Sequence, residues 1–372
     1  MQATQRKLRV ALVGTRGVTA KYGGSETAAE QVYPRLAARG HEAVVYCRRH
    51  MVDPHMRWWN GVRTIVLPSV NTKALDTMSH SFLAWMDMWL NDRADIAHVH
   101  GIGNAALFPL FRMTGKRVVG CVDGMDWTRA KWSRLEQVYL RLALDLVVRW
   151  SDAVYVDSLA AQRLCRDLYG REFPVVAYGA ERREHVGTDL LADFGVSPER
   201  YLLFVGRLIP EKGVHYLIDA CKAVESELPL VIVGDNPYHP DYVAGLRERA
   251  DERVRFVGPV FGDAFWQLTS HCYLYVQPSE VEGTSPMLLT AMGQGRCVVV
   301  NGIEENLDVI ADAGVAFHRN DAGDLAWVLQ SLLGRPEVVA DLGRAARVRV
   351  REEYDWDTIA DLHEELFLSV AP

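Results

Sequence analysis

The stretch SEVEGTSPMLLTAMGQG, residues 279–295, gathers acids, hydroxyls, glycines and a proline around a short apolar run. Ser285 followed by Pro286 reads as an N-cap and a first-turn proline, and Met287 to Met292 continue as helix until Gly293 and Gly295 end it. The preceding CYLYVQP is β-branched and aromatic enough to be a buried strand. Glu282, Gly283, Thr284 and Ser285 therefore sit on a strand-to-helix turn, where backbone N–H groups and the positive helix end suit an anion. In FVGRLIPEKG, Gly206 closes another strand, and Arg207 and Lys212 flank the turn after it. Two cations and one helix start make a diphosphate clamp, the alternative being surface charges matched by Glu211. A third glycine-rich loop, GTRGVTAKYGGSE, ends the first strand, and its Gly23 and Gly24 would let a ligand approach the backbone. Its spacing is neither a dinucleotide fingerprint nor a Walker loop, so NAD and ATP motifs are not supported.

These loops must be carried by an alternating fold. Strand-like runs LRVALVG, AVVY, RTIVLP, DIAHVH, RVVGCV and DAVYVD precede residue 160, and the series restarts with YLLFVG, LVIVG, VRFVG, CYLYVQP and RCVVV. Helical segments lie between several of them, which predicts an α/β chain of two doubly wound Rossmann-like domains. Ligands of such sheets bind at the carboxyl ends of the strands, so facing domains would make an interdomain cleft. The expected domains are 1–181, 182–354 and a terminal segment 355–372.

Length and composition agree: 372 residues suit two domains, and 49% hydrophobic residues can fill two cores. A net charge of −7 argues against nucleic acid and favours small-molecule partners. Six scattered cysteines without a C-x-x-C pair suit reduced thiols in a cytosol. No apolar run reaches spanning length, and WSRLEQVYLRLALDLVVRW, 132–150, is charged at intervals as an amphipathic helix is. That helix faces a core or, alternatively, touches lipid at the surface, which leaves peripheral contact at the inner membrane face open.

The motifs VGRLIPEKG, PSEVEGTSPMLLTAMGQG and KYGGSE, in this order and spacing, closely resemble those of the retaining glycosyltransferases of family 4, which have the GT-B fold. VDGMDWTRAKW, 122–132, with GTRGVTAKYGGSE, is similar to a subgroup containing rhamnosyltransferases and related polysaccharide enzymes, and YDWDTIADLHEELF resembles the family's terminal helix, which crosses back to the N-terminal domain. The resemblance implies a metal-independent, hexosyltransferase-like enzyme that uses a nucleotide diphosphate sugar as substrate and needs no cofactor. Arg207 and Lys212 would hold the donor diphosphate, Gly23 and Gly24 would close over it, and Glu282 with Gly283 to Pro286 would face sugar and phosphate. Base selection falls to the loop 257–262, beginning at Val257. Where the family has a second Glu for the ribose, this chain has Thr290, which is short, neutral and offers one hydroxyl. Asp123 stands where many members have a histidine, and could bond a sugar hydroxyl, accept the acceptor's proton, or pair with Arg129 or Lys131. His80, His100 and Trp127 are acceptor-side candidates, for a sugar, a lipid-linked glycan or a small secondary metabolite. His98 and His100 alternate on one strand without a further ligand cluster, so no metal is assigned to them or to Asp355 and Asp357. The competing readings are a weakened nucleotide-sugar-binding partner protein, motivated by Thr290, and a nucleotide-sugar epimerase.

Overall fold

The computed structural model describes residues 7–20, 23–72, 75–122 and 134–371. In the first half, β1 (Arg9–Val13), β2 (Glu42–Arg48), β3 (Trp58–Trp59), β4 (Val62–Leu67), β5 (Ile96–Val99), β6 (Arg117–Val122) and β7 (Ala153–Val156) form one sheet. Its order is β3-β4-β2-β1-β5-β6-β7. Residues Val10 to Val13 and Ile96 to Val99 are buried without alternation, as expected of strands covered on both faces by helices. All the pairings are parallel except β3 with β4, a hairpin closed through Asn60 and Gly61, both at positive φ. The strand list read from the sequence omits β3, because two tryptophans are too few to show a period.

In the second half, β8 (Leu202–Val205), β9 (Leu230–Val233), β10 (Val254–Gly258), β11 (Leu274–Gln277), β12 (Cys297–Asn301) and β13 (Val315–Phe317) form a parallel sheet ordered β10-β9-β8-β11-β12-β13. Phe204, Leu217, Ile232, Val276, Val299 and Leu329 belong to its buried core. Truncating Leu217, Ile232 or Leu329 to alanine would cost about 2–5 kcal/mol. The three-residue β13 was also unread in the sequence, and pairs with β12 from Val299–Val315 to Asn301–Phe317.

Two units result, one of Met1–Tyr178 together with Trp356–Pro372, the other of Gly179–Asp355. The terminal helix Trp356–Val370 buries Trp356, Ile359, His363 and Phe367 within the first unit. Polar contacts fix its register on the helix Gly24–Ala38 and the turn after it: Arg35 to Asp357 at 2.7 Å, Arg39 to Glu364 at 2.7 Å and His41 Nε2 to Glu364 at 2.8 Å. Leu8 N–H donates to His41 Nδ1 at 3.1 Å, so it is Nε2–H that faces Glu364. Burial works against a charged Glu364, but the bonds from His41 and Arg39 prevail and hold its carboxyl below the usual range.

Candidate functional site

In the second unit β8 and β11 are neighbours, with β9 and β10 to one side and β12 and β13 to the other. The strand order reverses between them, and ligands of doubly wound sheets bind at the carboxyl ends of such a pair. Gly206 and Arg207 follow β8, and the turn 278–285 follows β11, so the residues expected at the donor stand on two adjacent loops.

Glycines and short contacts bind these loops together. Gly213 lies at φ +65°, and a Cβ there would sit 2.0 Å from the Pro278 carbonyl oxygen. Only glycine lets the turn carrying Lys212 press on the β11 turn. Likewise a Cβ on Gly234 would lie 1.9 Å from the Gly206 carbonyl oxygen. Glu280 N–H donates to the Glu211 carbonyl at 2.8 Å, and Tyr216 Oη donates to Glu280 at 3.0 Å. Across the same gap Lys212 pairs with Glu282. Glu211, the partner that a purely surface role would give Lys212, is engaged through its backbone instead. Arg207 is exposed and has no ion pair among the described residues.

Ser285 caps the helix Pro286–Gly293: its Oγ accepts from Leu288 N–H at 3.4 Å and donates to Gln277 Oε1 at 2.9 Å. Pro286 has no N–H and those of Leu288 and Leu289 bond Ser285, so the donors left for an anion are the Met287 N–H and those of the turn before the helix. Gln277 opens a buried chain of amides. Its Nε2 donates to Asn306 Oδ1 at 3.0 Å, and Asn306 Nδ2 donates to the Asn301 carbonyl at 3.0 Å. Asn301 Nδ2 donates to the Ser279 carbonyl at 3.1 Å and to Asn320 Oδ1 at 2.7 Å, while its Oδ1 accepts from Asn320 N–H at 2.9 Å. The β11 turn is thus held from below by side chains with no charge, which fixes its backbone without competing for an anion. Nothing in the sequence singled out Gln277, Asn301, Asn306 or Asn320 beforehand.

Thr290 is half-buried, and its hydroxyl donates to the Pro286 carbonyl at 2.8 Å. The one proton it could offer a ribose is therefore used inside its own helix. Val257 is half-buried at a register shift between Phe256 and Gly258, a bulge at the end of β10, and Phe261 just beyond is exposed.

In the first unit the order reverses between β1 and β5. The loop after β1 is tied down at each step. Arg48 Nη2 donates to the Gly14 carbonyl at 3.2 Å, Glu26 accepts from Arg16 N–H at 3.0 Å and Glu30 from Thr19 N–H at 2.6 Å. Gly23 is the N-cap residue and Gly24 the first residue of the helix Gly24–Ala38. A cavity of ≈ 20 Å³, room for about one water, is lined by Ser25, Tyr33, His98, His100, Tyr155 and Asp157 among others. His98 lies between Tyr33 Oη at 3.0 Å and Tyr155 Oη at 2.8 Å, and burial keeps it neutral. His100 borders the same cavity.

His80 stands apart from that group. It is fully buried on the helix Asp76–Asn91, and burial, aided by Arg48, pushes it down to about 4. Arg48 itself, buried and paired with Asp76 at 2.5 Å, escaped the sequence reading because a strand-end arginine resembles any surface cation. Asp123 and Trp127 lie outside the described residues. The described residues contain no group of three or more His, Cys, Asp and Glu placed to hold a metal ion. Asp355 pairs with Arg182 at 2.7 Å.

Comparison with known proteins gives each unit a counterpart. Residues 23–179 match the family model described as glycosyl transferase 4-like domain, and residues 199–335 that of glycosyl transferases group 1. An uncharacterised glycosyltransferase of Methanocaldococcus jannaschii is 31% identical over 168 residues, 44% of this chain and 43% of that protein. The alpha-maltose-1-phosphate synthase of Mycolicibacterium smegmatis is 28% identical over 203 residues, 49% of this chain and 51% of its own. The chain spans about half the length or less of these curated relatives. The alpha-D-kanosaminyltransferase of Streptomyces kanamyceticus is 24% identical over 302 residues, 73% of this chain and 77% of its own. Among solved structures, the sucrose-phosphate synthase of Thermosynechococcus elongatus has a TM-score of 0.81 at 19% identity, over 98% of this chain and 100% of that one. HepE of Anabaena, solved in complex with UDP-glucose, has a TM-score of 0.79 at 19% identity, over 97% of this chain and 99% of that one. These likenesses show the GT-B fold.

Proposed function

We propose that this glycosyltransferase of the GT-B type moves a sugar from a nucleotide diphosphate donor to an acceptor hydroxyl, with retention of anomeric configuration. The observation that carries the reading is the meeting of Arg207, Lys212, Glu282 and the capped turn 283–286 on the two loops at the β8/β11 reversal. The family matches in both units and a structural neighbour solved with UDP-glucose support it.

As the bond between sugar and phosphate lengthens, negative charge gathers on the departing diphosphate. Arg207, which has no ion pair among the described residues, would meet it, and Lys212 would exchange part of its contact with Glu282 for a phosphate oxygen. Glu282, so released, can accept a hydroxyl of the donor sugar. The rigid amide chain under the turn keeps the N–H donors in place as charge develops, so little reorganisation is required. Retention follows if the leaving phosphate itself receives the acceptor's proton on the face it vacates, which requires no carboxylate nucleophile. Two protein cations on the diphosphate would make a bridging metal unnecessary. Ribose recognition differs from the family's usual pattern, because Thr290 keeps its proton within its helix.

The reading is tested by titrating the protein with UDP, GDP, dTDP and ADP while following thermal unfolding, then assaying the sugar nucleotides of the base that binds. A ligand of the folded state raises the melting temperature with concentration. Selective stabilisation by one nucleotide, turnover that survives a chelator, and loss of turnover in Arg207→Ala and Lys212→Ala are expected. Stabilisation by none of them would overturn the assignment.

A further inference from the structure

We propose that the second unit carries a separate carbohydrate-binding groove, between the helices Val214–Ala223 and Pro240–Arg249, that takes an uncharged glycan chain. The two helices follow β8 and β9, which are neighbours in the sheet, and pack side by side. The hollow between them has a volume of ≈ 710 Å³, within the range of about 300–1,000 Å³ usual for sites that hold small molecules. His215 and Lys222 line it from the first helix, and Asp241, Tyr242, Glu248 and Arg249 from the second. Gly245 lies in the interior of the second helix, where glycine is less favourable than alanine. No close approach requires it, since a Cβ there would have no atom within 4 Å. Its missing side chain leaves that stretch of the groove open.

The rings of the groove are held in place before any ligand arrives. Tyr242 is half-buried and its hydroxyl shares a hydrogen bond with His215 Nδ1 at 3.1 Å. His215 packs against Tyr216 with ring centroids 4.0 Å apart, and Tyr216 Oη donates to Glu280. Tyr238, on the turn that leads into the second helix, is 88% exposed, although its N–H donates to Asn236 Oδ1 at 3.1 Å and fixes its backbone. Aromatic rings anchored in this way lose little freedom when the C–H face of a sugar lies on them. One end of the groove adjoins the turn of Glu280, which His215 Nε2 approaches to 4.0 Å, so a bound chain would be held beside the candidate donor loops.

Charge decides the class of ligand. Lys222 and Arg249 bring positive charge to the lining, and Asp241 and Glu248 match it with negative charge. Burial lowers the pKa of His215, which therefore adds no charge at neutral pH. Arg249 is bound by Asp219 at 2.6 Å, whereas Asp241 and Glu248 are exposed and have no ion pair among the described residues. An anion would meet those carboxylates, a cation would meet Lys222 and Arg249, and an apolar partner would strip water from all four. A glycan avoids each of these costs, because its hydroxyls can donate to the carboxylates and accept from the cations.

The test is isothermal titration of the full chain with the neutral oligosaccharides maltoheptaose, cellohexaose and laminarihexaose, and with hexagalacturonate as a charged control, at low and high salt. A neutral chain should bind with an affinity that salt leaves unchanged, and hexagalacturonate should bind more weakly. Gly245→Gln puts a helix-compatible side chain into the groove, and should weaken that binding at least about tenfold without lowering the melting temperature. Tyr242→Leu keeps apolar contact but removes the ring, and should weaken it by a similar factor. Stabilisation by nucleotide should be the same in Gly245→Gln as in the wild type, and a failed donor assignment would leave the oligosaccharide readings unchanged. Binding of none of the neutral chains, preference for hexagalacturonate, or binding unaltered by both substitutions would overturn the proposal.

Discussion

Replacing Asn301 with aspartate exchanges one nitrogen for one oxygen at a position without solvent contact. The wild-type amide gives Nδ2–H to the Ser279 carbonyl and to Asn320 Oδ1, and receives Asn320 N–H on Oδ1. In Asn301→Asp the shape and the received bond survive, but two buried acceptors then face a third acceptor that carries charge. Loss of two hydrogen bonds at about 1 kcal/mol each, plus uncompensated burial, gives a cost of roughly 2–4 kcal/mol. For a unit of this size that lowers the melting temperature by roughly 5–15 °C. The pH dependence has a definite sign. Burial raises the pKa of the introduced acid in the folded state, so the deficit is smallest below the ordinary Asp value near 4, where a neutral carboxyl can donate one bond, and grows as pH rises above it. Calorimetry at pH 4.5 and pH 7.5, with and without the stabilising nucleotide, measures both effects. The β11 turn rests on Asn301, so the nucleotide should also stabilise the variant less than the wild type. A melting temperature within about 1 °C of wild type at pH 7.5 would refute the view that the amide chain holds the turn.

Other expectations concern separate parts of the molecule. Gly213→Ala combines a strained φ with a clash against the Pro278 carbonyl, and should cost roughly 2–4 kcal/mol in chemical denaturation and weaken nucleotide binding, whereas Gly245→Ala, with open space around its Cβ position, should do neither. Thr290→Glu should tighten nucleotide binding by up to about tenfold in a titration if a carboxylate at that position reaches the ribose, and unchanged affinity would mean the sugar lies elsewhere. In the first unit His80 and His363, both pushed down to about 4 by burial, stay neutral where the unfolded chain is already protonated. Stability should therefore be complete above the usual histidine value near 6.5 and be lost as pH falls from there towards 4, by on the order of 3 kcal/mol for each histidine. Denaturant melts at pH 7.5 and pH 5, repeated on His363→Gln, would show whether the slope belongs to that residue.

The features legible in the sequence are those that backbone chemistry imposes locally. Ser285 and Pro286 announce a helix start, and the apolar runs of the central strands are long enough to be read, whereas β3 and β13 are too short for a period to show. At the candidate site, Arg207 and Lys212 could be named because they flank a turn at a strand end, and Glu282 because the motif around it resembles the family's. The partner of Lys212 could not, since Glu211 is its neighbour in sequence and Glu282 its neighbour only after β8 and β11 pair. Asn301 and Gln277 end strands that would be equally good with any polar residue there. Their importance lies in contacts to residues 279, 306 and 320, which no local pattern encodes. His80 shows the converse: it reads in the sequence as an acceptor-side candidate, and its full burial follows from the packing of its helix, which no local pattern encodes.

The assignment of the helix Trp356–Val370 to the first unit bears on how the chain reaches its fold. The second unit is continuous in sequence, whereas the first is interrupted by the whole of it. During synthesis the second unit can fold as soon as its own residues have emerged, while the earlier-made first unit still waits for the helix that covers His98 and accepts the salt bridges of Arg35 and Arg39. Until then the face that will receive Trp356, Ile359 and Phe367 is open to water and to other chains. A truncation after Asp355 would consequently expose an apolar surface on the unit farthest from the cut in sequence, and aggregation of the N-terminal half would be the symptom of a C-terminal lesion.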